Sequence, residues 1–309
     1  MHLVAIAGPG MGALAGLLHA RGLRVTGSDR ALYPPMSEML AGWGIPVAIG
    51  FAAEHLEPAP DLVVIGNAVR EDNPEARAAL ERGLPVRSFP DALYEFAMAD
   101  RHSVVVAGTH GKTTTTALLG AVLAGAGLDP SVLVGGVVLD FDGPFRDGAG
   151  PHFVVEGDEY DTAFFDKTPK FLHYHPRTLL LTSVEFDHAD IYRDLEHVKE
   201  AFRTLVRAMP ADGAIVAALD DENVCDVLAG APCPVTGYGV GDGEHGWRAL
   251  DLEAGPAGTS FRVVRDEREL GRATVPLHGR HNVANALGAL AAAVTLGAPF
   301  EAAATALAG

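Results

Sequence analysis

The chain has 309 residues, 48% hydrophobic and 20% charged, the composition of a globular protein with room for two domains of ordinary size. Its formal charge of −17, with only 23 Lys and Arg spread along it, speaks against a nucleic-acid surface built from clustered cations but leaves open a small anionic ligand held by backbone amides. Cys225 and Cys233 are too few for a disulfide framework or a cysteine zinc site, and Met1-His2-Leu3-Val4 carries no basic leader, so the expectation is a cytoplasmic enzyme without a signal peptide.

The first hundred or so residues alternate strand and helix. Residues 3–7 form an apolar run that ends in Gly8-Pro9-Gly10-Met11-Gly12-Ala13 and enters a helical face of Leu14, Leu17 and Leu18. Residues 23–27 predict a second strand, with Ser28 and Asp29 at its carboxyl end. Gly8, Gly10 and Ala13 fit the dinucleotide fingerprint, and Asp29 stands near the place of a ribose-binding carboxylate. The physical content of that pattern is only that backbone can approach a diphosphate at a helix start, which suits UDP as well as NAD, and a ligand-free turn would read the same way. Residues 61–65 predict another buried strand, followed by Gly66-Asn67, and Asp72-Asn73-Pro74-Glu75 caps the next helix. Asn67 falls where α/β sheets place ligand contacts; a turn asparagine accounts for it equally.

Near residue 100 the rhythm resets, which divides the chain into domains at 1–100 and 101–309. The strand at 103–107 runs into Gly108-Thr109-His110-Gly111-Lys112-Thr113-Thr114, a cradle for a nucleoside triphosphate such as ATP. Backbone N–H groups of the turn and the positive end of the following helix would face phosphate oxygens. Lys112 would reach the outer phosphates and Thr113 would offer its hydroxyl to Mg²⁺. The general P-loop pattern wants glycine where Val106 stands, so the loop is a contracted form. Threonines at 113–116 are poor helix formers unless something else selects them; a bare strand-to-helix turn is the alternative. Further strands are predicted at 152–155, 178–182 and 213–217, and a helix carries the stripe Leu195, Val198, Phe202, Leu205, Val206. Alternation of this kind implies a parallel sheet covered by helices on both faces, to which 247–277 adds a small β meander. The fold class is therefore α/β, a Rossmann-like amino-terminal domain and a P-loop ATPase-type domain. Residues 283–300 are apolar but broken by Asn285, Thr295 and Pro299, so they read as a buried helix and no membrane contact is expected.

Two acidic stretches follow strands and share the P-loop's edge of the sheet. In Glu156-Gly157-Asp158-Glu159-Tyr160-Asp161, Glu156 is favoured as a Mg²⁺ ligand, since that ion takes oxygen donors and phosphate partners. In Glu185-Phe186-Asp187-His188-Ala189-Asp190, His188 is a less obvious ligand, as imidazole suits softer metals, and a hydrogen-bonded loop histidine accounts for it equally. The remaining acids read as a solvated loop. A third cluster, His278-Gly279-Arg280-His281-Asn282-Val283-Ala284-Asn285, opens the last Ala-rich helix and could hold a base; N-capping explains Asn282 alone.

Together these motifs resemble the Mur ligases, ATP-dependent amide-bond ligases of peptidoglycan synthesis. The wording of Gly66-Asn67-Ala68-Val69 and of the stretches from Glu156 to Lys167 and from Glu185 to Asp190 is similar to the branch that joins UDP-N-acetylmuramate to the tripeptide L-alanyl-γ-D-glutamyl-meso-diaminopimelate. The branch that adds L-alanine fits less well. The resemblance implies that Lys112 binds ATP phosphates, that Thr113 holds one Mg²⁺, and that Glu156 and His188 hold a second. It further implies that His281, Asn282 and Asn285 line the adenine and ribose side, and that Gly8, Gly10, Met11 and Gly12 take the UDP diphosphate, with Ser28, Asp29 and Asn67 nearby. Pro9 departs from the family's loop. Family members also carry a third, carboxyl-terminal domain; residue 309 falls where it should begin, so poor ligation by these residues alone is expected. A nucleotide-binding module without catalysis and an NAD-dependent oxidoreductase are the other readings.

Overall fold

In the computed structural model, residues 1–138, 141, 143–187 and 192–309 are described. Over the first hundred residues, short apolar runs build a parallel sheet of β1 (His2–Val4), β2 (Thr26–Asp29), β3 (Val47–Ile49), β4 (Val63–Ile65) and β5 (Val86–Ser88). Its order is β3-β2-β1-β4-β5, so the chain reverses its winding between β1 and β4, where such sheets open a ligand crevice. The intervening helices are α1 (Pro9–Ala20), α2 (Met36–Gly42), α3 (Pro74–Glu81) and α4 (Phe89–Leu93). Pro9 occupies the first turn of α1, where a missing N–H costs nothing. The cap expected at Asn73 is present: its Oδ1 accepts from the Glu75 and Ala76 amides at 2.9 and 3.1 Å.

Two strand expectations shift. β1 stops at Val4 because Ala5 turns to φ 65°. β2 starts at Thr26, not at residue 23, because the end of α1 consumes the preceding residues: Gly22 takes φ 83° and the Leu23 amide returns to the Leu18 carbonyl at 3.1 Å.

From residue 101 the order is β6 (His102–Ala107), α5 (Lys112–Gly125), β7 (Ser131–Val138), β8 (Gly143–Arg146), β9 (His152–Gly157), β10 (Asp161–Ala163), β11 (Asp166–Pro169) and β12 (Thr178–Leu181). It continues through α6 (Leu195–Arg207), β13 (Ala214–Ala218), α7 (Glu222–Val227), β14 (Val235–Val240), β15 (Trp247–Gly255), β16 (Gly258–Arg265), β17 (Arg268–Val275), α8 (Arg280–Thr295) and α9 (Phe300–Leu307). Two units result. One gathers Met1–Asp100 with Leu133–Asp147 and Tyr160–Tyr174; the other gathers Arg101–Val132, Gly148–Glu159 and His175–Gly309. The single division near residue 100 read from the sequence thus becomes an interleaved one.

Within the first unit, Phe145 packs on Trp43 at 5.5 Å between ring centres, and Phe164 joins the core of Val4, Val63, Ile65 and Ala79. In the second, β6 lies in the sheet interior, between β12 and β9 in the order β17-β16-β15-β14-β13-β12-β6-β9. Its Val104, Val105 and Val106 are fully buried, as a central parallel strand requires on both faces. β12, β13, β14 and β15 run parallel in succession, and β15, β16 and β17 form the antiparallel meander that the sequence predicted. Helix α6 buries Val198, Phe202, Leu205 and Val206, the predicted stripe, and opens on the Asp194 cap. Small residues let helices and sheet approach closely: a Cβ at Gly288 would lie 2.8 Å from the Tyr238 ring. Among the described residues no helix is long and apolar enough to cross a membrane.

Candidate functional site

The P-loop leaves β6 through Gly108 at φ 144° and enters α5 through Gly111 at φ 80°, conformations that side-chain-bearing residues rarely take. Space enforces the same choice. A Cβ at Gly108 would run into Thr182 Oγ1 and come within 2.9 Å of the Ser183 amide, and one at Gly111 would lie 2.7 Å from Asn285 Oδ1. The amides of Lys112, Thr113 and Thr114 head α5 and have no intrahelical acceptor, so three donors and the helix dipole converge on one point. By contrast the amides of Thr109 and His110, expected to face phosphate, are taken by Ser183: its carbonyl at 3.0 Å and its Oγ at 2.9 Å. Thr109 Oγ1 also accepts from the Glu185 amide at 2.9 Å, and Thr182 Oγ1 donates to the His110 carbonyl at 2.6 Å. The loop is stitched to the tip of β12, so the backbone donors it leaves for a ligand are those of the helix start.

Thr113 is exposed on the second residue of α5. Glu156 stands at the carboxyl end of β9, in register with Val106 of β6. These two groups are oxygen donors at the edge of the sheet that carries the loop, the chemistry a hard divalent cation takes. Among the described residues no group of three or more His, Cys, Asp or Glu could hold a metal by itself. His188 lies outside the described residues.

Glu159 corrects the expectation of a solvated acidic loop. Its side chain is 2% exposed, and Oε2 lies 3.0 Å from Lys112 Nζ. The only hint in the sequence was its position in the stretch that follows Glu156. The second acidic stretch does match: Glu185, Phe186 and Asp187 are exposed.

Beside the loop a cleft of about 330 Å³ is lined by Thr182, Ser183, Asp220, Tyr238, Gly239 and Ala284. Asp220 forms part of its wall, held by the Val240 amide and by His245 Nε2, each at 2.8 Å. Burial, reinforced by the Asp220 charge, pushes the Tyr238 phenol above its ordinary range, so the ring is a neutral surface. α8 begins at Arg280 behind Gly279, so Asn282 sits inside the first turn, donating to the His278 carbonyl at 2.8 Å, and does not cap it. His281 is exposed on that turn, and Asn285 is buried against Gly111. Asn285 and Ala284 thus tie the head of α8 to the loop and the cleft.

The glycine turn of the first unit is built differently. Gly8 has φ −65° and caps α1, while Gly12 admits the Met36 side chain, whose methyl would lie 2.6 Å from a Cβ. Gly10 and Met11 head the same helix, and no acid or base stands in the first turn. Asp29, expected to meet a ribose, instead receives the Ala7 amide on Oδ2 and the Arg30 amide on Oδ1, both at 2.7 Å, and so braces the turn. The short carboxylate at the end of β2 reaches exactly the loop that leaves β1. Ser28 is also displaced from the expected role: it is fully buried and its hydroxyl donates to Glu75. Glu75 further accepts from His55 at 2.5 Å, the Ala52 amide at 3.1 Å and His2 at 3.3 Å. Burial alone would raise its pKa, but these donors outweigh burial and hold the carboxyl below the ordinary glutamate range. Asn67 is exposed beyond β4, on the crevice side.

A family profile described as "Mur ligase family, catalytic domain" matches residues 1–101, and one described as "Mur ligase middle domain" matches 106–293. The UDP-N-acetylmuramate–L-alanyl-γ-D-glutamyl-meso-2,6-diaminoheptandioate ligase of Escherichia coli is 43% identical over 98% of this chain and 66% of that protein. The UDP-N-acetylmuramate–L-alanine ligase of Variovorax paradoxus is 39% identical over 100% of this chain and 62% of that protein. A crystal structure of the former kind of ligase from Neisseria meningitides superposes with a TM-score of 0.92 at 41% identity, covering 100% of this chain and 97% of that one. The chain spans about two thirds of the length of the curated relatives it matches.

Proposed function

The chain belongs to the Mur ligase family, and we propose that it supplies both nucleotide sites of an ATP-dependent, ADP-forming ligase that joins UDP-N-acetylmuramate to L-alanyl-γ-D-glutamyl-meso-diaminopimelate in the cytoplasm. The tripeptide reading is supported by the names of the relatives at 43% and 41% identity. The ATP reading is carried by one observation: Gly108 and Gly111 hold positive φ so that the head of α5, with Lys112 as its first residue, faces outward from the edge of the sheet.

In this reading the UDP diphosphate lies at the head of α1, and ATP lies across the P-loop with its base in the cleft lined by Asp220 and Tyr238. The lactyl carboxylate attacks the γ-phosphorus, giving an acyl phosphate and ADP. The peptide α-amine then attacks the acyl carbon and phosphate leaves. The chain's part is alignment and charge neutralisation: amides of Lys112, Thr113 and Thr114 face the phosphates, and the Lys112 ammonium meets charge on the transferring group. One Mg²⁺ would be held by Thr113 and a second by Glu156 and His188, and they would supply further neutralisation of the phosphate oxygens.

The test is calorimetric titration of the chain with ATP and Mg²⁺, and separately with UDP-N-acetylmuramate, followed by assay of ADP on mixing both with tripeptide or with L-alanine. Saturable binding of both nucleotides is expected, with ADP formed faster with tripeptide than with L-alanine wherever turnover is measurable. Absence of ATP binding at millimolar concentration, or preference for NADH over the UDP-sugar in the first unit, would sink the reading.

A further inference from the structure

Lys112 folds back onto the loop that carries it. Its Nζ is 2.7 Å from the Gly108 carbonyl, 3.3 Å from the Thr109 carbonyl and 3.0 Å from Glu159 Oε2. An ammonium has three protons to donate, so these contacts use them all. The Glu159 side chain is 2% exposed and that of Lys112 15%, which sets the pair apart from solvent-screened surface pairs. The carboxylate is anchored at its root as well: the buried Tyr192 hydroxyl donates to the Glu159 carbonyl at 2.7 Å.

A phosphate oxygen that is to accept a hydrogen bond from Lys112 must therefore displace one of these acceptors. The two loop carbonyls are neutral and travel with the loop. Glu159 is an anion on a different segment, and it competes with phosphate for the same cation. We propose that Glu159 is the positioning residue of Lys112, a latch that holds the ammonium down on the P-loop while no nucleotide is bound and that an incoming triphosphate must open. This inference rests on the nucleotide reading above for its ligand, but the latch itself is a property of the free chain.

Two measurements on the whole chain test it separately. The first is ATP·Mg²⁺ affinity. Glu159→Gln should tighten it about tenfold, about 1.4 kcal/mol, with a smaller gain for ADP. Glu159→Asp, which keeps the charge, should stay near wild type. In a Lys112→Met background the Glu159→Gln change should give no gain, because the competition it relieves is for the lysine. Weaker or unchanged ATP binding in Glu159→Gln overturns the latch, as does an equal gain in the Lys112→Met background, which would mean simple repulsion between carboxylate and phosphate.

The second is the rate at which an amine-acylating reagent modifies Lys112, followed by peptide mass spectrometry without nucleotide. It should rise about tenfold in Glu159→Gln, the same release of the ammonium read chemically. An unchanged rate overturns the proposal whatever the nucleotide result. A risen rate with no ATP binding by the wild-type chain would refute the nucleotide reading and leave the hold of Glu159 on Lys112 standing.

Discussion

The two glycine turns of this chain, at the heads of α1 and α5, have similar spelling and different physics. In the first, no glycine of the turn needs a positive φ; Gly8 has φ −65°, and Gly12 and Gly16 are small because Met36 and the Trp43 and Phe145 rings press on the helix. In the second, Gly108 and Gly111 are required by the path of the backbone itself. The first turn is braced by an aspartate receiving amides and carries no cation in the first turn of its helix, while the second carries a lysine already engaged by a buried glutamate. A glycine fingerprint therefore reports close approach, but whether of ligand, side chain or backbone is settled by what surrounds it.

That contrast can be broken by substitution. The largest effect belongs to Lys112→Ala, which takes the ammonium from the buried Glu159 carboxylate and should cost about 3–5 kcal/mol of stability, together with weakened but still measurable ATP binding and unchanged UDP-sugar binding in the first unit. Chemical denaturation and paired titrations read this; loss of both nucleotides together would mean that the two sites are not independent. Next comes Gly108→Ala, where positive φ and the clash with Thr182 and Ser183 should cost about 2–4 kcal/mol. Gly8→Ala should cost under about 1 kcal/mol, the difference between glycine and alanine at a cap. Equal destabilisation of the two variants would erase the distinction. Within α1, Gly16→Ala should cost about 1–3 kcal/mol against rigid aromatic rings, and Gly12→Ala less, since the flexible Met36 can give way. The reverse order would show that Met36 is the fixed element.

The smallest effect sharpens the comparison through pH. In the second unit, burial pushes His102 and His152 below the ordinary histidine value, with His152 and Arg177 adding to the shift at His102. On acidification the unfolded chain takes these protons first, so stability is lost as pH falls below about 6.5. In the first unit Glu75 has a lowered pKa, so its contribution is present above about pH 4.3 and lost as pH falls through its folded value. Hydrogen exchange should therefore show β6 and β9 losing protection at higher pH than β1 and α3. Loss in the opposite order would refute this assignment.

Much of the fold was legible beforehand because it rests on local patterns. The Val104–Val106 run, the Asn73 cap and the alternating meander each involve neighbours along the chain, and the structure has them where the pattern placed them. Strand ends moved where a helix terminus or a turned alanine claimed residues. The antiparallel pair β10 and β11 and the strands β3, β5 and β8 went unseen because they are brief, and the longer β7 and β14 because they lack a clear alternation.

The site was legible only in outline. By itself the sequence determined that a glycine turn followed by Lys112 would join a strand to a helix and that acidic segments would end neighbouring strands, because turn chemistry and periodicity act over a few residues. Only the tertiary structure decided that Glu159 is buried against Lys112, that Ser28 turns to Glu75 instead of the crevice, that Asp29 braces a loop and that Asn285 lies against Gly111. A charged or polar letter does not state its own solvation. Whether such a group is a solvated surface, a brace or a latch depends on partners brought near by folding, 47 positions away along the chain for Lys112 with Glu159 and for Ser28 with Glu75.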